Sequence, residues 1–423
     1  MTAPDVFASH PPIADPFAVK PQARFLGSER VLWWLLARGA VLVALTLGIY
    51  RFWLATDTRR YLWSNTEIVG SSLEYTGTAL ELLIGFLIAI AVLVPVYGAF
   101  FIAALDLGLI GKLSGTLAFL LLLLFGQFAV YRARRYRLTR TLYRGVYCNQ
   151  DGSGWLYALR AWGWWLVVVL SLGLLYPWAQ ASLERYKMRH TFYGDLQGHF
   201  DGRGGQLFLR GLTMWLVIMG PPIAGVAFSL IAVDWPALAI ELQRGGDRLE
   251  KSSPAALAQL SAFTIAIGWS MIAAVVLYPA FQAVILRWWL SGIRLGALEV
   301  TSKLRTGPIY TTYLRFLGYV LLFILLLVVA LLVGIGLGWA AGFSPTSKGG
   351  QAVASVVAVV VYVALILGCS IIYQVVVKRS LWRFGVESLV FTGLNALDAV
   401  KVKGRPSSAF GEGLADALNV GGL

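Results

Sequence analysis

Charge is scarce in this chain: 13% of its 423 residues are Asp, Glu, Lys or Arg, against roughly 25% in soluble domains. That excludes an ordinary water-soluble globule. Cysteine is scarcer, with Cys148 and Cys369 alone; they are far apart and the second lies in an apolar run, so neither a disulfide framework nor a cysteine metal centre follows. Of three histidines, His10 is near the start, while His190 and His199 read better as surface residues beside headgroups than as a metal pair. HExxH, GxSxG, CxxC and P-loop patterns are all missing, which removes the residues of common hydrolytic, redox and nucleotide-driven mechanisms. No enzyme activity, cofactor or metal site is expected. The first 30 residues lack the basic start, short apolar core and small-residue cleavage site of a secretory signal. They read as a disordered, Pro-rich cytoplasmic tail, and the first apolar run reads as an uncleaved anchor.

What the chain does have is hydrophobicity, 58% of all residues, gathered into runs at 31–54, 79–104, 113–131, 158–181, 206–233, 256–284, 314–341 and 350–377. A span needs about 20 apolar residues to cross roughly 30 Å of hydrocarbon. Such spans are helical, because unpaired backbone cannot face lipid and the alternating strands of a barrel are absent. The expected fold is an all-α polytopic membrane protein of six to eight membrane helices. The excess of 35 Lys and Arg over 21 Asp and Glu then fits anionic lipid headgroups rather than nucleic acid.

The runs are followed by similar segments. "TLGIYRFWLATDTRRYLWSNTEIVGSSLEYTG" from Thr46 superposes on "SLGLLYPWAQASLERYKMRHTFYGDLQGHFDG" from Ser171 at an offset of 125, matching Arg60 with Arg185, Tyr61 with Tyr186 and Gly77 with Gly202. At an offset of 75, Arg135, Tyr136 and Gly152 join the same frame. Fainter copies carry Gln180 and Arg185 onto Gln282 and Arg287, and those onto Gln374 and Arg379. The chain therefore divides into a tail over 1–30, a polytopic domain of internal repeats over 31–384, and a cytoplasmic C-terminal tail over 385–423. Its linkers fall at about 55–78, 132–157, 182–205 and 285–313. Their apolar alternation around glycine marks short β-hairpin-like pieces near the membrane surface.

The segments "TLGIYRFW", "RRYLWSNTEIVG", "YRARRYRLTRTLYRG", "ERYKMRHTFYG" and "FDGRGGQLF" resemble the YjgN family of bacterial inner-membrane proteins, whose domain is of unknown function. The resemblance runs from about residue 40 to 215 and more loosely beyond. It implies a multi-pass protein of the bacterial inner membrane. Members are often encoded beside a membrane zinc metallopeptidase, which implies a partner of that kind.

Eight simple spans would split the basic residues 20 to 14 between the two faces, a poor positive-inside signal. If runs 31–54 and 158–181 instead enter and leave by one face, with breaks at "LARGA" and "RAWGWW", the split is 29 to 5. Both topologies stay open from sequence alone.

Candidate binding residues are Arg60, Arg135, Arg185, Arg287 and Arg379 with Tyr61, Tyr136 and Tyr186. The arginines either anchor their own helices at headgroup depth, the preferred reading, or converge on an anionic lipid headgroup or an acidic partner. Polar groups within the runs are Arg38, which reads as snorkelling, and Gln180, Gln282 and Gln374, a possible seam between helices. Asp234, Glu241, Asp247 and Glu250 read as a solvated loop with an interfacial helix at "WPALAIEL". The expected function is a scaffold or accessory subunit holding a protein partner on its basic linkers; the alternative is a transporter or lipid-handling protein. A lipid-acting enzyme ranks last.

Overall fold

The computed structural model describes residues 22–106, 108–232, 254–340, 342, 347–397 and 400–401. The acidic stretch from Asp234 to Glu250, with its "WPALAIEL" helix, and His10 lie outside them. The first elements are β1 (Ala23–Phe25), α1 (Glu29–Leu45), α2 (Arg51–Ser64), β2 (Thr66–Ile68), β3 (Ser71–Tyr75), α3 (Ala79–Asp106) and α4 (Gly108–Thr139). Then come β4 (Thr141–Tyr143), β5 (Val146–Gln150), α5 (Gly154–Leu170), α6 (Tyr176–Arg189), β6 (Thr191–Tyr193), β7 (Leu196–Phe200) and α7 (Gly204–Ala232). The remainder is α8 (Pro254–Ser291), β8 (Ile293–Leu295), β9 (Leu298–Ser302), α9 (Gly307–Ala340), α10 (Lys348–Ile372), a π-helical turn (Tyr373–Lys378), α11 (Arg379–Glu387) and β10 (Leu389–Thr392).

Among the described residues, six helices are long and apolar enough to cross a membrane: Ala79–Leu105, Gly111–Thr139, Gly204–Phe228, Phe263–Ser291, Gly307–Ala340 and Gly349–Glu387. The protein is a polytopic helical membrane protein. It is not purely helical. The sequence suggests separate small hairpins, but the structure joins every linker into one ten-stranded sheet in the order β1 to β10. Each strand is antiparallel to its neighbours, within a hairpin (Ile68 opposite Ser71) and between hairpins (Tyr75 opposite Thr141, Gln150 opposite Thr191). The hairpin turns at Val69–Gly70 and Arg144–Gly145 have φ near 47° and 76° at their two central residues, the left-handed pair that matches strand twist.

One backbone bond recurs at each junction between neighbouring units. Leu26 N donates to Asn65 O (2.8 Å), Thr76 N to Arg140 O (2.9 Å), Asp151 N to His190 O (2.9 Å), Asp201 N to Gly292 O (2.9 Å) and Lys303 N to Ser388 O (3.0 Å). The sheet bends round until its ends nearly meet. Phe391 N on β10 donates to Gln22 Oε1 beside β1 (2.5 Å), and Ala23 packs in one apolar cluster with Leu298, Val300 and Phe391. A tryptophan bond closes the circle: Trp63 Nε1 donates to Thr141 Oγ1 (3.0 Å), and Trp382 Nε1 donates to Thr66 Oγ1 (2.9 Å). The last unit thus meets the first as the first meets the second.

Two boundaries move as a result. The tail expected over 1–30 contributes β1 and the start of α1, and the C-terminal tail expected over 385–423 contributes the end of α11, β10 and a 3-10 turn at Leu394–Leu397. Strands of three and four residues carry no readable periodicity, and they pair with β2 and β9, beyond the reach of local sequence patterns.

Runs 31–54 and 158–181 are not continuous helices. Each breaks into a helical hairpin, α1–α2 and α5–α6, whose two ends return to the sheet. The breaks are not at "LARGA" and "RAWGWW", which stay helical; Gly39 lies where Leu54 of α2 packs, and a Cβ there would meet Leu54 at 2.2 Å. The chain turns at Leu47–Gly48 (φ 51° and 94°) and Leu172–Gly173 (φ 50° and 88°), where glycine takes positive φ without steric cost. The residue before each turn satisfies the opened backbone. Thr46 Oγ1 donates to Leu42 O (2.7 Å) and accepts from Tyr50 N (3.0 Å), and Ser171 does the same with Val168 O (3.1 Å) and Leu175 N (3.2 Å). The tips are apolar, with Leu47 95% and Leu170 84% exposed. A tip that is apolar and pairs its own backbone meets the condition hydrocarbon sets, that backbone groups be paired internally. Because a hydrogen-bonded sheet cannot straddle lipid, all the linkers lie on one face.

Candidate functional site: a basic cluster inside the ring

The repeated arginines do not converge. Arg60 Nη2 donates to Gly77 O (3.0 Å), Arg185 Nη2 to Gly202 O (3.3 Å) and Arg379 Nη2 to Gly27 O (2.7 Å). Each holds the end of a β-hairpin against the helix that precedes it, and for Arg379 the missing second strand is β1, from the start of the chain. The glycine is required by close approach, since a Cβ on Gly27, Gly77 or Gly202 would lie 2.4–2.6 Å from the ring of Phe25, Tyr75 or Phe200. Arg287, whose unit has Leu304 in place of that glycine, turns to Thr306 Oγ1 (3.3 Å). Arg135 lies within reach of Tyr131 and Arg132, and its buried Nε is unpartnered. The tyrosines reach backwards to the preceding unit: Tyr61 Oη to Ser28 O, Tyr186 Oη to Ser153 O (2.9 Å) and Tyr136 Oη to Glu81 Oε2 (2.6 Å). Arg60, Arg185, Arg379 and the three tyrosines thus serve the joints of the ring.

Of the other expected residues, Arg38 is exposed on α1. Gln282 Nε2 donates to Tyr278 Oη (2.6 Å) and Gln374 Nε2 to Ser370 Oγ (3.3 Å), both one turn back on their own helices. Gln180 is half-buried on α6. They do not meet as a seam. His190 Nδ1 pairs with Asp151 (2.7 Å) and His199 Nε2 with Asp201 (3.1 Å), so the two rings serve different strand ends.

What does gather is the set of side chains one residue before the repeated arginine and two after it. Successive helical residues are about 100° apart, so these positions leave the strand-facing side. They are Arg59 on α2, Arg134 and Arg137 on α4, Glu184 and Lys187 on α6, and Lys378 at the end of the π turn. Arg134 Nη1 lies 3.5 Å from Glu184 Oε2, Lys187 Nζ pairs with Glu184 Oε1, and Trp289 Nε1 on α8 donates to Glu184 Oε2 (3.0 Å). Arg59 and Arg137 are both within electrostatic reach of Lys378, and Arg134 and Arg137 of Lys187. Lys378 belongs to the last unit and Arg137 to the second, with the first between them, so their approach crosses the ring's interior. Arg59 and Glu184 are each only 6% exposed.

Among the described residues, Arg134 and Lys187 share the Glu184 carboxylate, with Arg59, Arg137 and Lys378 nearby. Burial opposes ionisation of Glu184, and the Lys187 ammonium and the Arg134 guanidinium overcome it, so its carboxyl sits below the usual carboxylate range. Burial also holds the Lys187 ammonium below the ordinary lysine value, with Glu184 acting against the shift. A carboxylate so fully engaged is a poor general base. The cluster is suited to holding a negative group.

No curated protein and no solved structure matches the chain. A family model matches residues 20–417, from just before β1 to beyond β10, so the match takes in both pieces that close the ring. The chain belongs to the family described as bacterial protein of unknown function (DUF898), the family its sequence resembles.

Proposed function

We propose that this is a protein of the bacterial inner membrane that binds an oxyanion, a free phosphate or the phosphate of a lipid headgroup, at the basic cluster inside the ring. The observation that carries the reading is the gathering of Arg134, Lys187 and Lys378 inside the ring, where among the described residues Glu184 is the carboxylate that meets the first two. Cations so placed are costly to desolvate unless a negative partner compensates them. The activity is binding or passage rather than covalent chemistry, because Glu184 is fully engaged by Lys187, Arg134 and Trp289. The 29 to 5 split of basic residues orients the sheet toward the cytoplasm.

A second reading, a scaffold holding a protein partner such as a membrane metallopeptidase, draws on side chains the sheet leaves exposed, among them Tyr147 (41%). A partner protein co-purifying in fixed ratio from native membrane would support it. The first reading is tested by thermal shift of the purified protein with inorganic phosphate at pH 7. Stabilisation that rises with phosphate, and falls at least fivefold in apparent affinity for Arg134→Gln and Lys187→Gln, is expected. Equal response of wild type and both variants would overturn it.

A further inference from the structure

The segment that follows β10 crosses the ring. Gly393, at φ 77°, follows the strand where a Cβ would meet Ala297 O at 2.3 Å, and the 3-10 turn Leu394–Leu397 comes next. Leu394 and Leu397 pack on the cluster of Ala23, Leu298, Val300 and Phe391, from β1, β9 and β10. Leu397 also packs on the cluster of Tyr143, Val146 and Tyr193, from β4, β5 and β6, and Val400 joins it there. In a nearly closed order of ten strands, β4 to β6 stand opposite β9, β10 and β1, so one leucine that meets both sets fills the interior between them. Ten strands about 4.8 Å apart make a ring roughly 15 Å across, narrow enough for a few side chains to close.

The far end of the segment is anchored on the β6–β7 hairpin. Lys401 N donates to Asp195 Oδ1 (3.0 Å). Gly194 beside it, at φ 58°, has no room for a side chain, since a Cβ would lie 2.4 Å from Val400 Cγ1 and 2.5 Å from Lys401 O. That hairpin turn is shaped around the segment. The segment is nonetheless held differently from the strands it covers. Strands are paired one to the next along the sheet, whereas among the described residues one hydrogen bond, from Lys401 to Asp195, ties residues 394–397 and 400–401 to them, and the rest is apolar contact. An element with so few hydrogen bonds opens at a lower free energy than a paired sheet.

We infer that residues 394–397 and 400–401 are a strap that seals the sheet end of the ring and lifts without parting the strands, admitting water and small solutes to the interior. This goes beyond the oxyanion reading and holds whatever the interior binds. The chain carries its own reporter. Cys148 lies on β5 between Val146 and Gln150, both buried; alternation puts it on their face, and it packs on the cluster that also takes Leu397 and Val400. Burial pushes its thiol up to about 12, which slows alkylation. In purified full-length protein carrying Cys369→Ala, a charged maleimide at pH 7.5 should label Cys148 at least a hundredfold more slowly than it labels Tyr147→Cys, an exposed site, in the same background with Cys148→Ala. Leu397→Asp and Val400→Asp should each raise the Cys148 rate at least tenfold. Asp195→Ala, which removes the one hydrogen bond and no apolar contact, should raise it about threefold. Amide exchange over β1, β2, β9 and β10 should stay unchanged in all three. Wild-type labelling as fast as at residue 147, or unchanged rates in the three variants, would overturn the strap. Faster labelling accompanied by faster exchange in those strands would overturn it too, because the segment would then be part of the core of the sheet.

Discussion

The joints of the ring and the basic cluster lie one residue apart on the same helices and do different work. Arg60, Arg185 and Arg379 turn to a glycine carbonyl at a strand end. Arg59, Glu184 and Lys378, one position earlier, turn inward. The joint position keeps its residue from unit to unit because each unit has the same hairpin to hold. The inward position changes, reading Arg, Arg, Glu, Leu and Lys in order from Arg59 to Lys378, because the interior is shared and need be furnished only once. In a chain of repeats, what recurs marks architecture, and the chemistry sits in what does not recur beside it.

The largest effect expected from this contrast is all-or-none. With Cys148 and Cys369 replaced, single cysteines at Ser64, Tyr147 and Thr301, all exposed, should react with an impermeant thiol reagent from one side only. Thr301 reacting from the side opposite Ser64 would restore eight simple spans and break the ring. The next effect concerns the joint that closes it. Arg379 is 10% exposed and lies 3.6 Å from Glu29 as well as bonding Gly27, so Arg379→Gln should cost about 3 kcal/mol of unfolding free energy, as loss of one partner of a buried pair does. Arg60→Gln should cost about half of that, since it loses one charged hydrogen bond. Equal, negligible losses in denaturant unfolding would reduce both arginines to headgroup anchors.

Smaller effects sharpen the same comparison. Trp382→Phe keeps the ring stack on Trp63 (centroids 5.0 Å apart) and loses only the bond to Thr66, so a decrease of about 1 kcal/mol is expected. Phosphate binding should not change, because a joint has been touched and not the cluster. The smallest effect is a matter of pH. Lys187, held below the ordinary lysine value by burial, gives up its charge at lower pH than an exposed lysine. Phosphate affinity measured from pH 8 to 10 should therefore fall earlier than a lysine at 10.5 allows. Lys187→Arg should hold its affinity across that window, and an unchanged decline in that variant would remove Lys187 from the site.

Much of the membrane part was legible because lipid is a simple solvent: a long apolar run must be a helix, whatever its neighbours. The residue types at the joints were legible too, since repetition exposes them, although what they touch was not. Arg379 looks like any basic residue at a span end until Gly27, 352 residues away, is brought beside it. The cluster was the least visible part. Arg59, Arg134 and Lys378 sit next to stronger repeating signals, and Glu184 matches nothing in the other units.

By itself the sequence determined the environment, the helical class, the repeat frame and the glycines that permit each turn. These follow from local free energies, the transfer of apolar surface to lipid and the φ values open to each residue. Only the tertiary structure decided that two apolar runs fold back within the membrane, that the hairpins join one sheet, that β1 completes the last unit, and that cations from four separate elements meet inside. Each of these depends on pairing groups distant along the chain, and no local free energy records which distant partner will satisfy a strand edge, a carbonyl or a buried charge.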